Sequence, residues 1–430
     1  MKFFYADSLD LVDPEFDFIA EKSRREGRVP QRHDVYAHEL MQPRPYDGLL
    51  VSKSLFRQST GNSDGGKYSV AQRARFLREG AARFLRFPAD GTCDPDSFPI
   101  LGDCGAFAYK DEWVPPFTVQ QITEFYAEGR FTHGVSPDHL ILAYDLQMDA
   151  APTQWSLPTS ATDLEARIRE AHRRLDITMT NARAFLAESK ALGAFEPLGA
   201  AQGWSPSSYR KSVRDLVRMG YEYIALGGLV PLKTPDIRSI LEEVRLELKG
   251  NTRLHLLGVT RLSEFSCFAS SGVVSFDSSS PVIQAFMDAR DNYYSTSAEG
   301  HYTAVRIPQS DGPRMLRMIR EGVVQQDVVL KLEREALRVL REYDVGRVTL
   351  DSALDSVRAY DAVSAGKTKT RWDRVRRTLE DQPWKSCDCS VCKALGIEVV
   401  LFRGANRNRR RGFHNLAWTH QRLRDLRGDQ

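Results

Sequence analysis

Short apolar runs alternate along the first 280 residues with stretches that have the hydrophobic periodicity of helices. Val213, Leu216 and Val217 recur at spacings of three and four residues, which places them on one buried face of a helix. Eight apolar runs of strand length are predicted as β-strands, namely 48–52, 83–87, 99–102, 139–144, 195–200, 221–226, 254–258 and 273–276. Helical patterns separate them at about 68–80, 117–128, 161–190, 206–219, 236–249 and 261–270.

Most of these strands are followed by a helix, which is typical of parallel βαβ units. Several runs are apolar on both faces, as buried parallel strands are. The pattern therefore predicts an α/β fold, and a (β/α)8 TIM barrel fits eight strands better than an open doubly wound sheet does. The chain contains neither GxGxxG nor a Walker A loop, which argues against a dinucleotide or nucleoside triphosphate site.

The alternation breaks after Asp277. Residues 311–345 and 350–363 have the pattern of charged amphipathic helices, and a cluster of cysteines follows them. We therefore expect a catalytic barrel over 1–280, an added helical module over 281–384, and a C-terminal zinc-binding subdomain with a basic tail over 385–430.

The composition is that of a globular protein, with 42% hydrophobic and 27% charged residues among 430, which excludes a disordered or fibrous chain. No apolar stretch approaches the roughly 18 residues that a membrane span needs. An acidic residue at Asp7 comes too early for the apolar region of a signal peptide. These features lead us to expect a cytoplasmic protein.

The formal net charge of +3 conceals an asymmetry, because residues 401–430 carry +6 and the first 400 residues carry −3. A basic tail on an acidic body indicates a polyanionic partner, most simply a nucleic acid. The candidates for this contact are Arg407, Arg409, Arg410 and Arg411. The alternative is a tail that only improves solubility.

A metal site is indicated by Cys387, Cys389 and Cys392, which form C-x-C-x2-C, and by His414, which follows after 21 intervening residues. Clustered cysteines in a cytosolic chain indicate metal binding before disulfides. Three thiolates and one imidazole fill the tetrahedral shell of Zn²⁺ and leave no open position, so the expected zinc is structural. His420 is a second candidate for the fourth ligand.

Polar residues and glycines follow five of the predicted strands, at the barrel face where chemistry takes place. They are Asp103 and Cys104, Asp145, Gln202, Gly227 with Gly228 and Leu229, and Asp277. Two carboxylates can perform retaining glycosyl transfer, one as nucleophile and one moving a proton. A carboxylate, a carboxamide and bare backbone N–H groups can together bind a purine edge. The alternative for each single acid is that it caps the next helix.

Several segments resemble the tRNA-guanine transglycosylases, in the same order along the chain. GDCGAF is similar to their DSGGFQ segment, AAQGW to their QG segment, ALGGL to their GGL segment and LHLLGV to the strand before their nucleophile. FDSSSP stands where FDCVLPTR occurs, and CDCSVC with the later HNL resembles their zinc elements. The resemblance covers about residues 45–280 and 385–420.

This resemblance implies a role for each matching position. Asp277 would be the nucleophile that forms a covalent glycosyl-enzyme intermediate and expels guanine, and Asp103 would be the general acid/base. Recognition of the base would fall to the side chains of Asp145 and Gln202 and to the backbone of Gly227, Gly228 and Leu229. Cys104 stands where the family has a serine that helps bind the base, and Cys387, Cys389, Cys392 and His414 would hold the zinc.

The departures from the tRNA enzymes point to a DNA-modifying branch. The TR pair that ends the FDCVLPTR segment of the tRNA enzymes is missing, and SSSP at 278–281 stands after Asp277 instead. About 110 residues separate Asp277 from Cys387. The segments FFYADSLDLVDPEFDF, YDGLLVSKS and DNYYSTS are similar to the DNA-guanine transglycosylases of 7-deazapurine modification systems. That branch exchanges guanine in DNA for 7-cyano-7-deazaguanine (preQ0). The implied partners are double-stranded DNA, preQ0, an accessory ATPase and a second copy of the chain, with 281–384 and the basic tail gripping DNA.

Three alternatives remain at this point. The same chemistry could act on tRNA, in which case the added module is not needed. The chain could be a non-catalytic subunit that binds nucleic acid, although the presence of both Asp103 and Asp277 argues against it. A barrel metallohydrolase would need several histidines at strand ends, and the predicted strand ends lack them.

Overall fold

The computed structural model describes residues 1–8, 10–57, 66–87, 98–150, 163–287, 290–297, 300–364 and 370–428. The chain divides into two compact units. Unit 1 comprises Met1–Ser8, Tyr46–Ser279 and Asp425–Gln430, and unit 2 comprises Leu9–Pro45 and Ser280–Arg424. Among the helices of these residues, none is both long enough and apolar enough to cross a membrane.

The described strands and helices are numbered in chain order. The strands are β1 (Lys2–Ala6), β2 (Phe16–Asp17), β3 (Lys22–Ser23), β4 (Gly48–Ser52), β5 (Ile100–Asp103), β6 (His133–Val135), β7 (Glu196–Ala201), β8 (Tyr223–Leu226), β9 (Arg253–Leu256), β10 (Val273–Ser278), β11 (Val305–Arg306) and β12 (Leu401–Phe402). The α-helices are α1 (Ala37–Leu40), α2 (Val70–Glu79), α3 (Ala81–Phe84), α4 (Val119–Glu128), α5 (Asp163–Leu192), α6 (Pro206–Met219), α7 (Thr234–Arg245), α8 (Phe265–Ser270), α9 (Ser280–Ala285), α10 (Pro313–Arg320), α11 (Gln326–Asp344), α12 (Leu350–Ser364), α13 (Trp372–Asp381), α14 (Ser390–Leu395) and α15 (Gly404–Arg427). Short 3₁₀ helices lie at Lys53–Phe56, Ala106–Tyr109, Leu146–Ala150, Leu262–Glu264 and Gly396–Val400.

Unit 1 is built around a closed barrel of eight parallel strands, in the order β1-β10-β9-β8-β7-β6-β5-β4. The barrel closes where β1 pairs in parallel with both β10 and β4. Its strands are linked through helices on the outside, so the carboxyl ends of all eight strands lie on one face. The predicted (β/α)8 barrel is confirmed.

The barrel interior is filled by side chains from at least six of the strands. The buried members are Phe4, Leu50, Leu101, Val135, Leu198, Ala200, Tyr223 and Ala225. Each barrel strand places alternate residues inward, and bulky apolar residues at these positions pack into a solid core. The interior is therefore a support for the strand ends and not a channel.

Helix α6 shows how local sequence defines the outer layer. The Ser205 hydroxyl accepts a hydrogen bond from the third helical residue, and Pro206 occupies the first helical turn, where its missing N–H costs nothing. Val213 and Leu216 are buried on the inner face. Gly220, with φ of 98°, takes the left-handed conformation that ends the helix. The observed bounds are those predicted from the periodicity.

Two of the eight predicted strands are wrong, and two other segments complete the barrel. The apolar run 83–87 contains the end of α3 and a turn in which Arg86 has φ of 66°. Residues 139–144 form no strand, and the barrel instead uses the three-residue strand β6 just before them. The second replacement is β1. β1 lies at the chain start and β6 has only three residues, too few to show the periodicity by which a strand is recognised.

Unit 2 combines the helices of the predicted module with the cysteine segment and with residues 9–45. Long helices α11 and α12 pack against each other, and the parallel pair β11 and β12 joins 305–306 to 401–402. One boundary between the units lies at 279/280, and the helices and the cysteine segment that follow it belong to unit 2 as far as Arg424.

Arg407 on α15 is the centre of a buried ion-pair cluster in unit 2. Its guanidinium donates to Glu398 over 2.6 Å and to Glu21 over 2.8 and 2.9 Å, and it is 1% exposed. A further hydrogen bond reaches the carbonyl of Phe18, whose ring lies 5.0 Å from the guanidinium. Removing one partner of a buried pair of this kind typically costs about 3–5 kcal/mol, so Arg407 is a structural residue.

The neighbouring arginines are also used inside the protein. Arg411 is 0% exposed and donates to three backbone carbonyl oxygens, and the buried Arg410 donates to a fourth. Arg409 is half-buried and donates to the carbonyl of Leu11. The prediction that a basic tail grips nucleic acid therefore does not hold for Arg407, Arg410 and Arg411, because their guanidinium groups are buried and already hydrogen-bonded.

Candidate active site and metal centre

Three carboxyl groups converge at the carboxyl ends of the barrel strands. Asp103 is the last residue of β5, Asp138 follows β6 after two residues, and Asp277 lies near the end of β10. Their proximity is evident from the electrostatics, since the charges of Asp138 and Asp277 both act on Asp103. Parallel strands bring residues far apart in sequence to the same face of the barrel.

Asp103 is partly buried and is held by two donors. The N–H of Gly105 donates to Asp103 Oδ2 over 2.9 Å, and the Ser52 hydroxyl donates to the same oxygen over 3.2 Å. Burial, together with the charges of Asp138 and Asp277, nevertheless raises the pKa of Asp103 to about 7. A carboxyl group with this pKa can both give and take a proton near neutral pH.

Asp277 is 6% exposed and accepts two hydrogen bonds at one oxygen. The N–H of Gly258 lies 3.0 Å from Asp277 Oδ1, and His255 Nε2 lies 3.1 Å from it. The buried His255 was not singled out by sequence reasoning, because a lone histidine inside an apolar strand is usually a core residue. Its only sequence signal is its position in LHLLG, one residue before β9 ends at Leu256 and three residues before Gly258.

Asp138 is the acid that sequence reasoning missed. It is 2% exposed and accepts a 2.6 Å hydrogen bond at Oδ2 from the Gln202 amide. The Cys104 thiol donates to Asp138 Oδ1 over 3.2 Å. Burial raises the pKa of Asp138, while these two donors act in the opposite direction. Asp138 would have been found if β6 had been recognised, because it comes directly after that strand.

The structure places Asp145 differently from the prediction. Its Oδ2 forms a 3.1 Å ion pair with Arg167, and its Oδ1 accepts from the backbone N–H of Gln147. Asp145 was expected in the site because 139–144 was predicted to be a barrel strand, which would place Asp145 directly after its end. With β6 ending at residue 135, the position after the strand belongs to Asp138.

Gln202, Gly227 and Gly228 form one wall of the site, and the adjacent Leu229 is fully buried. A Cβ at Gly227 would lie 2.2 Å from the Gln202 amide nitrogen, and one at Gly228 would lie 2.9 Å from the hydroxyl of Tyr209. Gly228 also has φ of 74°, which favours glycine. A side chain at either position would collide with Gln202 or Tyr209, which explains why both residues are glycine.

Cys104 is buried and connects Asp138 to a tyrosine. The Tyr109 hydroxyl lies 2.9 Å from Cys104 Sγ, and Cys104 Sγ in turn donates to Asp138. Burial and the nearby Asp138 charge raise the pKa of Cys104, so the group remains a thiol. A thiol in this state acts as a donor and not as a nucleophile.

The four predicted metal ligands lie together in unit 2. The ligand atoms of Cys387, Cys389, Cys392 and His414 all fall within 4.8 Å of one another. The three sulfurs lie 3.4–3.5 Å from His414 Nδ1. Bonds of about 2.3 Å to sulfur and about 2.0 Å to nitrogen at tetrahedral angles make this S···N edge about 3.5 Å, so the cluster fits a four-coordinate zinc.

The second nitrogen of His414 is also accounted for. His414 Nε2 donates to the carbonyl of Tyr294 over 2.9 Å, which leaves Nδ1 as the ligand atom. The Tyr293 ring stacks on the imidazole at 3.9 Å, and its hydroxyl lies 3.2 Å from Cys392 Sγ. His420, the alternative fourth ligand, is not part of the described cluster.

Comparison with known proteins gives one informative match. The chain is 43% identical over 426 residues to a DNA-guanine transglycosylase from Salmonella montevideo. The aligned region covers 98% of this chain and 96% of that protein. No model of a known protein family matches the chain.

The raised pKa of Asp103 predicts a pH-dependent effect of Asp103→Asn on stability. Ionising this carboxyl is unfavourable only in the folded protein, so the free energy of unfolding should fall as pH rises from about 4, the ordinary pKa of aspartate, to about 7. The asparagine amide cannot ionise, so the variant should gain stability relative to the parent over this window. Urea unfolding at a series of pH values measures the difference. A difference independent of pH would show that Asp103 titrates normally.

Proposed function

Because this chain belongs to the DNA-guanine transglycosylase family, we propose that it exchanges guanine in double-stranded DNA for 7-cyano-7-deazaguanine (preQ0). The observation that carries the proposal is the convergence of Asp103, Asp138 and Asp277 beside a Gly-Gly backbone at the barrel's strand ends. Two carboxyl groups serve the glycosyl transfer, and the third serves the base.

In the proposed reaction, Asp277 is the nucleophile. Its carboxylate attacks C1′ of the target nucleotide, the C1′–N9 bond breaks, and guanine leaves with the bonding electrons and a proton from Asp103. Asp103 then takes the N9 proton of the incoming base, whose nitrogen attacks C1′ and releases the Asp277 carboxylate. Two displacements at one carbon retain its configuration. The pKa of about 7 suits Asp103 for both proton transfers.

Recognition of the base is assigned to Asp138 in place of Asp145. A carboxylate can accept from the N1–H and amino group of guanine, and the Gln202 amide with backbone N–H groups at Gly228 and Leu229 can donate to its acceptors. The support is the 2.6 Å bond between Gln202 and Asp138 and their burial beside Gly227. The target nucleotide must leave the base stack to reach this site, at a cost of about a few kcal/mol.

Incorporation of radiolabelled guanine into duplex DNA, and in parallel into unmodified tRNA, tests the substrate. We expect label in DNA only, because the relative from Salmonella montevideo is a DNA-guanine transglycosylase. Label in tRNA alone would overturn the proposal that DNA is the substrate, but it would not contradict the proposed base exchange. If neither polymer is labelled by the protein alone and label appears once an accessory ATPase is added, the result would support the partner that the family resemblance implies. Exchange of guanine for preQ0 is then followed by mass spectrometry of the nucleosides.

Matched variants separate the three acids in the same assay. Asp277→Ala should abolish exchange and the covalent DNA adduct on denaturing gels. Asp103→Ala loses proton transfer in both displacements, so it should form adduct slowly, retain it and lose turnover. Asp138→Asn should reduce exchange about 10- to 100-fold, the effect of losing a hydrogen bond to a charged group. Asp145→Asn is the control and should exchange normally. Normal exchange by Asp138→Asn together with impaired exchange by Asp145→Asn would show that Asp145, and not Asp138, binds the base.

For the DNA contact, we propose the arginines of α10. Arg314, Arg317 and Arg320 are exposed at successive spacings of three residues, while Met315 on the same helix is buried. Three cations on the outer side of one helix can bind backbone phosphates without reading sequence. This assigns the grip to the helical module and removes it from the buried arginines of α15.

Replacing Arg314, Arg317 and Arg320 together by glutamine should weaken DNA binding and its salt dependence. Each phosphate contact contributes about −0.9 to the slope of log K against log salt concentration. If each of the three arginines contacts one phosphate, the slope of the triple variant should therefore be less negative by about 2.7. Arg338→Gln is the control, since it removes an exposed arginine from a different helix of the same unit, α11. Fluorescence anisotropy with a DNA duplex measures the slopes of the parent and of the variants. Identical slopes for the parent and the triple variant would exclude α10 as a DNA-binding helix.

We propose Zn²⁺ as the metal held by Cys387, Cys389, Cys392 and His414, in a structural role because the four ligands leave no open position. Elemental analysis should find one zinc per chain. Cys389→Ser should lower both the zinc content and the thermal midpoint, while Cys267→Ser, outside the cluster, should change neither. Full zinc content in Cys389→Ser would show that the metal lies elsewhere.

A further inference from the structure

Within the described part of the chain, both hydrogen bonds to the Asp277 side chain end on Oδ1. The N–H of Gly258 donates over 3.0 Å, and His255 Nε2 lies 3.1 Å from the same oxygen. The proposed nucleophile is a carboxylate, which only accepts hydrogen bonds, so in that form of the site the proton between the two groups belongs to His255 Nε2. The two donors occupy Oδ1, and Oδ2 is the oxygen left for bond formation.

A chain of donors continues behind His255. Ser275 Oγ lies 2.6 Å from His255 Nδ1, and the Tyr223 hydroxyl is hydrogen-bonded to the same Ser275 oxygen. In the neutral tautomer that is protonated at Nε2, Nδ1 accepts from Ser275, and Ser275 accepts from Tyr223. His255 and Ser275 are 0% and 1% exposed, so the chain is shielded from water. In this tautomer every hydrogen of the chain points toward Asp277.

We propose that His255 is a positioning residue for Asp277, fixing Oδ1 together with the Gly258 N–H so that Oδ2 bonds to the sugar. This inference rests on the proposed function, since it concerns the covalent intermediate of that reaction. When Oδ2 attacks C1′, guanine leaves with the electrons of the C1′–N9 bond and Oδ1 becomes an ester carbonyl oxygen. When the incoming base displaces Oδ2, the electrons of the C1′–Oδ2 bond return to the carboxylate.

The donors at Oδ1 favour the second displacement. Hydrogen bonds to a charged acceptor are roughly twice as strong as those to a neutral one, so the His255 and Gly258 donors stabilise the released carboxylate more than the ester. Loss of the His255 donor should therefore make Asp277 a poorer leaving group. The covalent adduct should accumulate and be resolved more slowly, an effect that a merely structural defect does not produce.

The experiment measures adduct on denaturing gels with duplex DNA, and its resolution after excess guanine is added. In His255→Phe, which keeps an aromatic ring beside Phe4, the resolution rate should fall about 10- to 100-fold and the adduct fraction should rise. His255→Gln carries an amide N–H at about the distance of Nε2 and should restore most of the rate. His33→Phe is the control, because His33 belongs to unit 2 and is not part of this chain of donors.

The outcomes separate this inference from the proposed function. No exchange by the parent protein in either polymer would overturn the function itself. An active parent together with unchanged adduct and resolution in His255→Phe would overturn only the role of His255. Less adduct at an unchanged thermal midpoint would also overturn it. If His255→Phe does not fold, Ser275→Ala leaves the histidine in place and should slow resolution about 3- to 10-fold, and an unchanged rate would exclude the chain.

Discussion

Three carboxyl groups of like charge share one largely buried site, and the surrounding structure offsets their mutual repulsion. Burial raises the pKa of both Asp103 and Asp138, and Asp103 also experiences the charges of its two neighbours. Like charges in a low-dielectric site cannot all ionise freely, so the site lowers its charge by holding a proton on Asp103 near neutral pH. The same repulsion that is unfavourable for folding thus creates a proton donor and acceptor.

Unit 2 meets the problem of buried charge in the opposite way. There Arg403 and Arg407 lie among the carboxylates of Glu21, Glu333 and Glu398, so that charges of opposite sign compensate one another. Such a cluster contributes less to stability than its number of contacts suggests, because each ion loses its hydration. It does fix the orientation of α15, the helix that also carries His414. The compensated cluster is structural, whereas the uncompensated one in the barrel raises the pKa of Asp103 to about 7.

The sequence predicted those parts of the site in which a residue type and its strand are both distinctive. Asp103, Asp277 and Gln202 directly follow or end apolar runs that are strands, and the cysteine spacing is specific for a metal. Asp138 escaped because its strand has three residues, two of them His133 and Gly134, too few for a periodicity. Tertiary pairing with β5 and β7, not local preference, makes this segment a strand.

The arginines of α15 show a second limit of sequence reasoning. Net charge over a segment gives no information about burial when the compensating acids lie elsewhere in the chain. Glu21 precedes Arg407 by 386 residues, and its pairing with that arginine is visible only in the folded unit. A basic segment that also contains regularly spaced Phe413 and Leu416 is therefore better interpreted as a buried helix than as a tail.

The two acids other than Asp103 share one further feature, a relay of donors that begins at a buried tyrosine. Tyr109 donates to Cys104, which donates to Asp138, while Tyr223, Ser275 and His255 form a hydrogen-bonded chain that ends on Asp277. Burial raises the pKa of both tyrosines, so each remains protonated as a donor. Among the described residues, the donors to Asp103 are a single hydroxyl and a backbone N–H. The Cys104 and Gln202 donors oppose the rise in the pKa of Asp138, whereas burial and the two neighbouring charges raise the pKa of Asp103 to about 7, so Asp103 is the group suited to hold a proton near neutral pH.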